Sequence, residues 1–301
     1  MRSRIRLVLE PDLARAITRR LVAVASGWLV AETARRPAGA PGEGWEAIYD
    51  GPATLGAGVP RLRCRHRDGR YLVEVEDGGV FEVGTGEVVQ RPSNRPVSME
   101  RAVEALLGPP LVLAMAKAGQ WCVHASGALR SRDGRSKACL FLGGSGTGKS
   151  TLAASFAEPS SWSKGWRRLA DDIVPVVDEN EDATLWALPR FPQLKLSEDE
   201  ERQREAPERI AVTHLFVLSA PTDAEKIEIV RLPPAAAALA LVEHAVATRL
   251  MAQADLWRHL DFVRRAAAVC PVSALRYPRD RRWLPRVRAA VDSSLGAAIS
   301  S

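Results

Sequence analysis

The chain predicts an α/β domain with a mixed sheet behind a small α+β N-terminal module, and three observations carry that expectation. An apolar strand-like run, Ala138 to Leu142, enters a glycine-rich loop and then a helix-like segment, Thr151 to Ala157. Short alternating runs punctuated by Asp-Gly turns fill residues 62 to 90, the pattern of an antiparallel meander. Amphipathic helical patterns recur after residue 233. Arg91-Pro-Ser-Asn-Arg-Pro96 is rich in turn formers and reads as a linker, dividing the chain into 1–96 and 97–301.

Composition bounds the function. The 301 residues are 46% apolar, ample for a buried core, and the charge of +6 comes from 42 Lys and Arg scattered among 36 Asp and Glu. No basic stripe with interleaved aromatics appears, so a nucleic-acid partner is not expected. The four cysteines, Cys64, Cys122, Cys139 and Cys270, lie far apart without C-x-x-C spacing. They suggest neither a zinc site nor a disulfide framework, and reduced thiols fit a cytoplasmic protein. Glu10, Asp12, Arg15, Arg19 and Arg20 interrupt any apolar core before Leu21 to Ala31, which argues against a cleaved signal peptide. Leu106 to Ala116 and Pro233 to Val242 are broken or too short to span a bilayer.

Taken in order, residues 1 to about 35 have mixed helical character, with Leu7, Leu9, Leu13, Ala16 and Ile17 in loose three-to-four spacing. A Pro/Gly-rich loop, Arg36 to Gly44, precedes the meander. Leu62 to His66 and Tyr71 to Glu76 flank Asp68-Gly69, Phe81 to Val83 follows Asp77-Gly78-Gly79, and Gly84-Thr85-Gly86 leads into Val88 to Gln90. Ser98 caps a helix from about Met99 that Gly108-Pro109-Pro110 interrupts. Trp121 to Leu129 reads as a strand, turned by a polar tip around Asp133-Gly134 into the run that enters the glycine loop. Such a hairpin brings Cys122 to Ser126 within reach of Gly143 to Gly146. Farther on, Ser197 to Glu200 looks like a helix start, Thr213 to Leu218 and Ile227 to Val230 like strands, and an Ala/Leu-rich helix runs from Pro233 to about Met251. Its His244 and Arg249 do not share a face, so packed or solvated roles are expected of them. Asp255 to Val269 and Pro285 to Leu295 are further helices whose Arg-rich faces meet solvent or a neighbour in a homo-oligomer.

The chemistry begins at Gly143-Gly-Ser-Gly-Thr-Gly-Lys-Ser150, which satisfies G-x-x-x-x-G-K-[ST] between a strand and a helix. Glycines let successive backbone N–H groups turn around phosphate oxygens, and the following helix points its positive end at the same charge. Lys149 then reaches the β and γ phosphates, and the Ser150 hydroxyl suits Mg²⁺. The nucleotide-binding candidates are therefore Gly143, Gly144, Ser145, Gly146, Thr147, Gly148, Lys149, Ser150 and Thr151, for ATP with Mg²⁺. Phosphoryl transfer asks further for a base and a second metal contact. Asp171 and Asp172 lie between apolar runs, and adjacent residues at a strand end point to opposite sides. One carboxylate can then face the metal while the other faces an acceptor hydroxyl.

Val123-His124-Ala-Ser-Gly127, Gly143 to Ser150 and Leu169-Ala-Asp171-Asp172 have the order and approximate spacing of one family. Together they resemble the catalytic domain of HPr kinase/phosphorylase, and more closely its looser kinase-like relatives, including kinases of lasso-peptide precursors. The resemblance extends through Leu188 to Leu196, Leu215 to Leu218, the helix after Arg231-Leu-Pro-Pro234 and Cys270 to Tyr277, covering about residues 99 to 296. It implies a P-loop kinase domain of the HPr kinase and PEP carboxykinase-like type. In that domain Asp171 is the general base, His124 tunes its protonation, Lys149 stabilises charge on the γ-phosphoryl oxygens, and Asp172 with Ser150 holds Mg²⁺. Lys195 or Arg190 adds a further positive group. The family's glycine-rich signature after the acidic pair is replaced by Asp178-Glu-Asn-Glu-Asp182, which points away from a phosphorylase reaction and from HPr as substrate. The expectation is a serine kinase that transfers the γ-phosphate of ATP to a protein or peptide, for example a ribosomal peptide precursor. The N-terminal module is a candidate for binding that substrate. The alternatives are a small-molecule, free serine-like kinase and a nucleotide-binding regulator that is not a kinase.

Overall fold

The structure, a computed structural model, describes residues 4–21, 28–33, 43–53, 59–93, 96–132, 135–158, 165–179, 183–192, 208–219, 225–278 and 280–297. The expected turn at Asp133-Gly134, the acidic tip Asn180 to Asp182, Lys195 and the helix start at Ser197 to Glu200 lie outside these residues. The chain forms two compact units: Met1–Trp121 with Ser197–Gln203 and Ala247–His259, and Cys122–Leu196 with Arg204–Val246 and Leu260–Ser301.

The first unit is a seven-stranded sheet with helices. Strand β1 (Ile5–Leu9) and helix α1 (Pro11–Leu21) are followed by β2 (Leu29–Thr33), β3 (Glu46–Pro52), β4 (Arg61–Arg67), β5 (Arg70–Val75), β6 (Gly79–Gly84) and β7 (Glu87–Arg91). The sheet order is β2-β1-β7-β6-β5-β4-β3. Strand β1 runs parallel to β2 and β7, whereas β3 to β7 form the expected antiparallel meander. Asp68 and Gly69 both take positive φ, 50° and 75°, as a two-residue hairpin turn requires.

Residues 5–9 form a strand instead of the helix expected over residues 1 to 35, and the helix is confined to Pro11–Leu21 among the described residues. Ile5, Leu7 and Leu9 are fully buried while Arg6 between them is exposed, a period of two that belongs to a strand. Helical spacing starts at Pro11, where Leu13, Ala14 and Ile17 bury one face. Helix α2 (Met99–Leu107) is capped as expected, Arg101 N donating to Ser98 Oγ at 3.3 Å. Gly108 ends it, and α3 (Pro109–Lys117) opens on its proline.

The second unit carries an eight-stranded mixed sheet. Its elements are β8 (Trp121–Arg132), β9 (Arg135–Leu142), α4 (Lys149–Ser155), β10 (Trp166–Ala170), β11 (Ile173–Glu179), β12 (Thr184–Ala187), β13 (Ile210–Leu218), β14 (Glu228–Arg231), α5 (Pro234–Glu243), the part from Leu260 onward of α6 (Gln253–Val269), β15 (Val272–Arg276) and α7 (Leu284–Ala297). Strand β9 pairs antiparallel with β8 and parallel with β13, and β13 is also parallel to β15. From Ala138 to Leu142 no residue of β9 is more than 1% exposed. That is why this strand reads as an unbroken apolar run: it is covered on both faces. Phe141 stacks on Phe156 and on Phe216, each at 5.8 Å between ring centres. Leu152 and Ala153 of α4 and Val287 and Val291 of α7 complete this core. Each large side chain so buried contributes about 1.5–3 kcal/mol. The glycine loop therefore leaves a rigid strand end.

Helix α5 is shorter than the expected run to about Met251. It ends at Glu243 because the next residues pair with β8 instead, His124 N donating to His244 O at 2.7 Å and Val246 N to Cys122 O at 2.9 Å. The backbone of β8 needs those partners, and helix propensity yields to them. Among the described residues no helix is long and apolar enough to cross a membrane.

Two stability outcomes follow. Phe141→Ala is expected to lower the unfolding free energy by about 3–5 kcal/mol, whereas Leu239→Ala, at a position 67% exposed, changes it by less than about 0.5 kcal/mol in urea titrations. His214 of β13 is buried against Phe216, with Nε2 2.9 Å from Ser273 Oγ, and burial, assisted by Arg231, holds its pKa down to about 4. The unfolded chain then binds more protons than the folded one between about pH 6.5 and 4. Stability is thus full above that window and is lost as pH falls through it. Urea midpoints measured across the window fall less steeply in His214→Gln.

Candidate active site

The loop after β9 takes its shape from glycine at two places. Gly146 and Gly148 have φ of 73° and 91°, conformations that a side chain strains. Thr147 ties the loop internally, its Oγ1 donating to Gly144 O at 2.8 Å. Lys149 is 6% exposed and folds back over the loop, Nζ donating to Gly143 O at 2.7 Å and to Gly144 O at 2.8 Å. Gly148 stands at the cap of α4 and has no side chain to cap it.

Strand β8 brings the second wall. Ala125 pairs with Leu142, which sets His124 beside the start of the loop. His124 and Ser126 lie two residues apart and so share one face of the strand. The turn between β10 and β11 meets that face with its two acids in antiparallel order. His124 Nε2 is 3.2 Å from Asp172 Oδ1, Ser126 Oγ donates to Asp171 Oδ1 at 2.5 Å, and between them Ala125 N donates to Asp172 O at 3.1 Å. Arg168 Nη2 donates to the other oxygen of Asp171 at 2.6 Å.

The acids therefore part company. Asp171 is 4% exposed, with both carboxylate oxygens engaged. Asp172 takes φ of 84°, a left-handed conformation that costs a non-glycine residue roughly 1–2 kcal/mol, and its side chain keeps 24% of its surface. Asp172, His124, Ser145, Gly146, Gly148, Lys149, Ser150 and Thr151 line one cavity of about 210 Å³. Gly143, Gly144 and Thr147 belong to the supporting part of the loop, and neither Asp171 nor Arg190 is among the lining residues. The expected neighbourhood of His124 and the glycine loop is thus present, with Asp172 rather than Asp171 completing it.

The lining is mostly polar. An ammonium, a hydroxyl and a carboxylate converge on a glycine loop, the donor set that a phosphate chain with a hard, oxygen-preferring cation requires. His244, read from sequence as packed or solvated, is packed: it is 7% exposed. Burial lowers its pKa; nearby Glu243 opposes this, and Lys149 and His124 add to it. A neutral imidazole therefore stands near the cavity, adding no competing positive charge. Ser126 and Arg168 were not singled out from sequence as site residues. The signal that could have found them is the two-residue spacing of His124 and Ser126 set against the adjacent acids.

No protein-family model matches the chain, and no curated protein matches it. Among solved structures it is similar to the HPr(Ser) kinase/phosphatase from Coxiella burnetii. The identity is 12%, over 58% of this chain and 97% of that one, with a TM-score of 0.31. A similarity at that level leaves the functional assignment to the residues of the cavity.

The left-handed turn is checked by stability alone. Asp172→Gly is expected to stay within about 1 kcal/mol of the wild type, while β-branched Asp172→Val loses about 1–3 kcal/mol, compared by denaturant unfolding of the two variants.

Proposed function

We propose that this chain is an ATP- and Mg²⁺-dependent kinase that transfers the γ-phosphate to a serine hydroxyl of a protein or peptide by direct in-line displacement. The observation that supports it is the convergence of Lys149, Ser150, Asp172 and His124 on one small polar cavity at the mouth of the glycine loop. When bound, MgATP supplies the phosphoryl group and neutralises part of its charge. Lys149 exchanges its two loop carbonyls for phosphate oxygens and, with the loop amides, holds charge that gathers on the transferring group. Ser150 and Asp172 hold the metal by their oxygens. His124, oriented by the Asp172 carboxylate at 3.2 Å, takes the proton from the attacking hydroxyl, and Asp172 stabilises the imidazolium that results. This gives the proton to His124 rather than to Asp171, the base that the family resemblance implies, because Asp171 is committed to Ser126 and Arg168. Four buried free thiols accord with a reducing, cytoplasmic setting.

The test is incubation of the full chain with MgATP and either serine-containing peptides or free serine, followed by mass spectrometry for a phosphoryl adduct. Lys149→Ala is expected to lower product formation about 10²–10³-fold, and Asp172→Asn to lower it while nucleotide still binds. A wild-type chain that binds MgATP yet phosphorylates no hydroxyl in either pool sinks the kinase reading in favour of a nucleotide-binding regulator. Adducts on free serine alone would replace the protein or peptide acceptor with a small molecule.

A further inference from the structure

The two adjacent acids raise a question that the reaction itself leaves open: why a second, buried carboxylate stands directly behind the one in the cavity. We propose that Asp171 is a positioning residue, closing a buried clamp with Ser126 and Arg168 that fixes Asp172 in its left-handed turn and aims the Asp172 carboxylate at His124 and the cavity. This rests on the phosphotransferase reading above, and it gives Asp171 a role other than acceptor of the proton.

Four observations carry it. Both oxygens of Asp171 are held by side chains, at 2.5 Å from Ser126 and 2.6 Å from Arg168, and the residue is 4% exposed and absent from the cavity lining. A carboxylate so engaged is oriented for its partners rather than for a substrate. Second, the residue that follows it has φ of 84°, a conformation that persists only where the surroundings over-determine it. Third, the clamp supplies that determination together with Ala125 N, which donates to Asp172 O at 3.1 Å, so the turn is pinned on both sides of the 171–172 peptide. Fourth, the pairing of β10 with β8 shifts register between Arg168 and Ala170. That irregularity lets Arg168 turn back onto Asp171, which a regular strand three residues away would not allow.

The clamp also explains the grouping of the motif. His124 and Ser126 project from one face of β8 and read Asp172 and Asp171 in turn. The sequence His-Ala-Ser and the sequence Asp-Asp are the two halves of one interlocking contact.

Ser126→Ala and Arg168→Ala each open the clamp without touching the cavity lining, and Arg168→Lys keeps its charge. In the full chain, ADP formation from MgATP with the serine-containing peptides as acceptor is measured for kcat and KM, and MgATP affinity by calorimetry. Ser126→Ala and Arg168→Ala are expected to lower kcat about 10–100-fold, the scale of a misplaced reacting group. KM and the MgATP Kd change less than kcat, because Lys149, Ser150 and the glycine loop that hold the nucleotide are untouched and only the Asp172 contact to the metal loosens. Arg168→Lys recovers most of kcat. In a crystal structure of Ser126→Ala the separation of Asp172 from His124 opens beyond 3.2 Å. Wild-type kcat in Ser126→Ala and Arg168→Ala, with that separation kept, overturns the clamp while leaving the kinase reading intact. Turnover abolished by Asp171→Asn but unaffected by Ser126→Ala also overturns it, and returns the proton to Asp171. If the wild-type chain binds no MgATP, the phosphotransferase reading falls and the clamp's role falls with it.

Discussion

The cavity depends on one pairing, that of β8 with β9. Strand β9 is covered on both faces, so a slip of one residue would turn Phe141 away from Phe156 and Phe216 and move every apolar side chain to the wrong side. The packing of the core therefore sets the register at which Ala125 meets Leu142. Because the glycine loop begins at the residue after Leu142, the same register sets His124 beside it. A hydrophobic constraint thus places a histidine next to a phosphate-type loop, and no polar contact is needed to choose that position.

The charges are then arranged around that placement. Lys149 is nearly buried, and two backbone carbonyls of the loop hold its ammonium. An ammonium removed from water needs such partners, and carbonyl oxygens are ones that a more strongly negative ligand can replace. On the opposite wall the paired acids divide, one facing Arg168 and Ser126 and the other facing His124. Two adjacent carboxylates turned to one cavity would repel each other, and splitting them removes that repulsion. His244 remains neutral through burial and so leaves Lys149 as the cation of the site's inner wall.

Legibility varied with how local the deciding physics was. The turns at Asp68-Gly69 and Gly108-Pro109, and the cap at Ser98, were readable because each is settled by backbone freedom or by one hydrogen bond within a few residues. Ile5 to Leu9 forms a strand although its apolar residues fit a loose helical spacing as well, and only the parallel neighbours β2 and β7 decide between them. Helix α5 ends at Glu243 for the opposite reason. Its alanine-rich sequence favours helix onward, but residues beyond Glu243 are recruited by backbone donors and acceptors of β8.

What the sequence determined by itself is the glycine loop between a buried strand and a helix, with a lysine and a serine at its end and a histidine and two acids as its candidate companions. Those are statements about residue type and order, and the chemistry of phosphate and of a hard cation is selective enough to act on them. What only the tertiary structure decided is which acid faces the cavity and which is buried. Asp171 and Asp172 are chemically identical neighbours, and composition contains nothing to separate them. Their difference arises from a left-handed turn at Asp172, a register shift in β10 and the side chains of Ser126 and Arg168, contacts made across 3 to 45 positions of the chain. Those contacts exist only once the sheet has formed, which is why the different placement of the two acids could not be read before it.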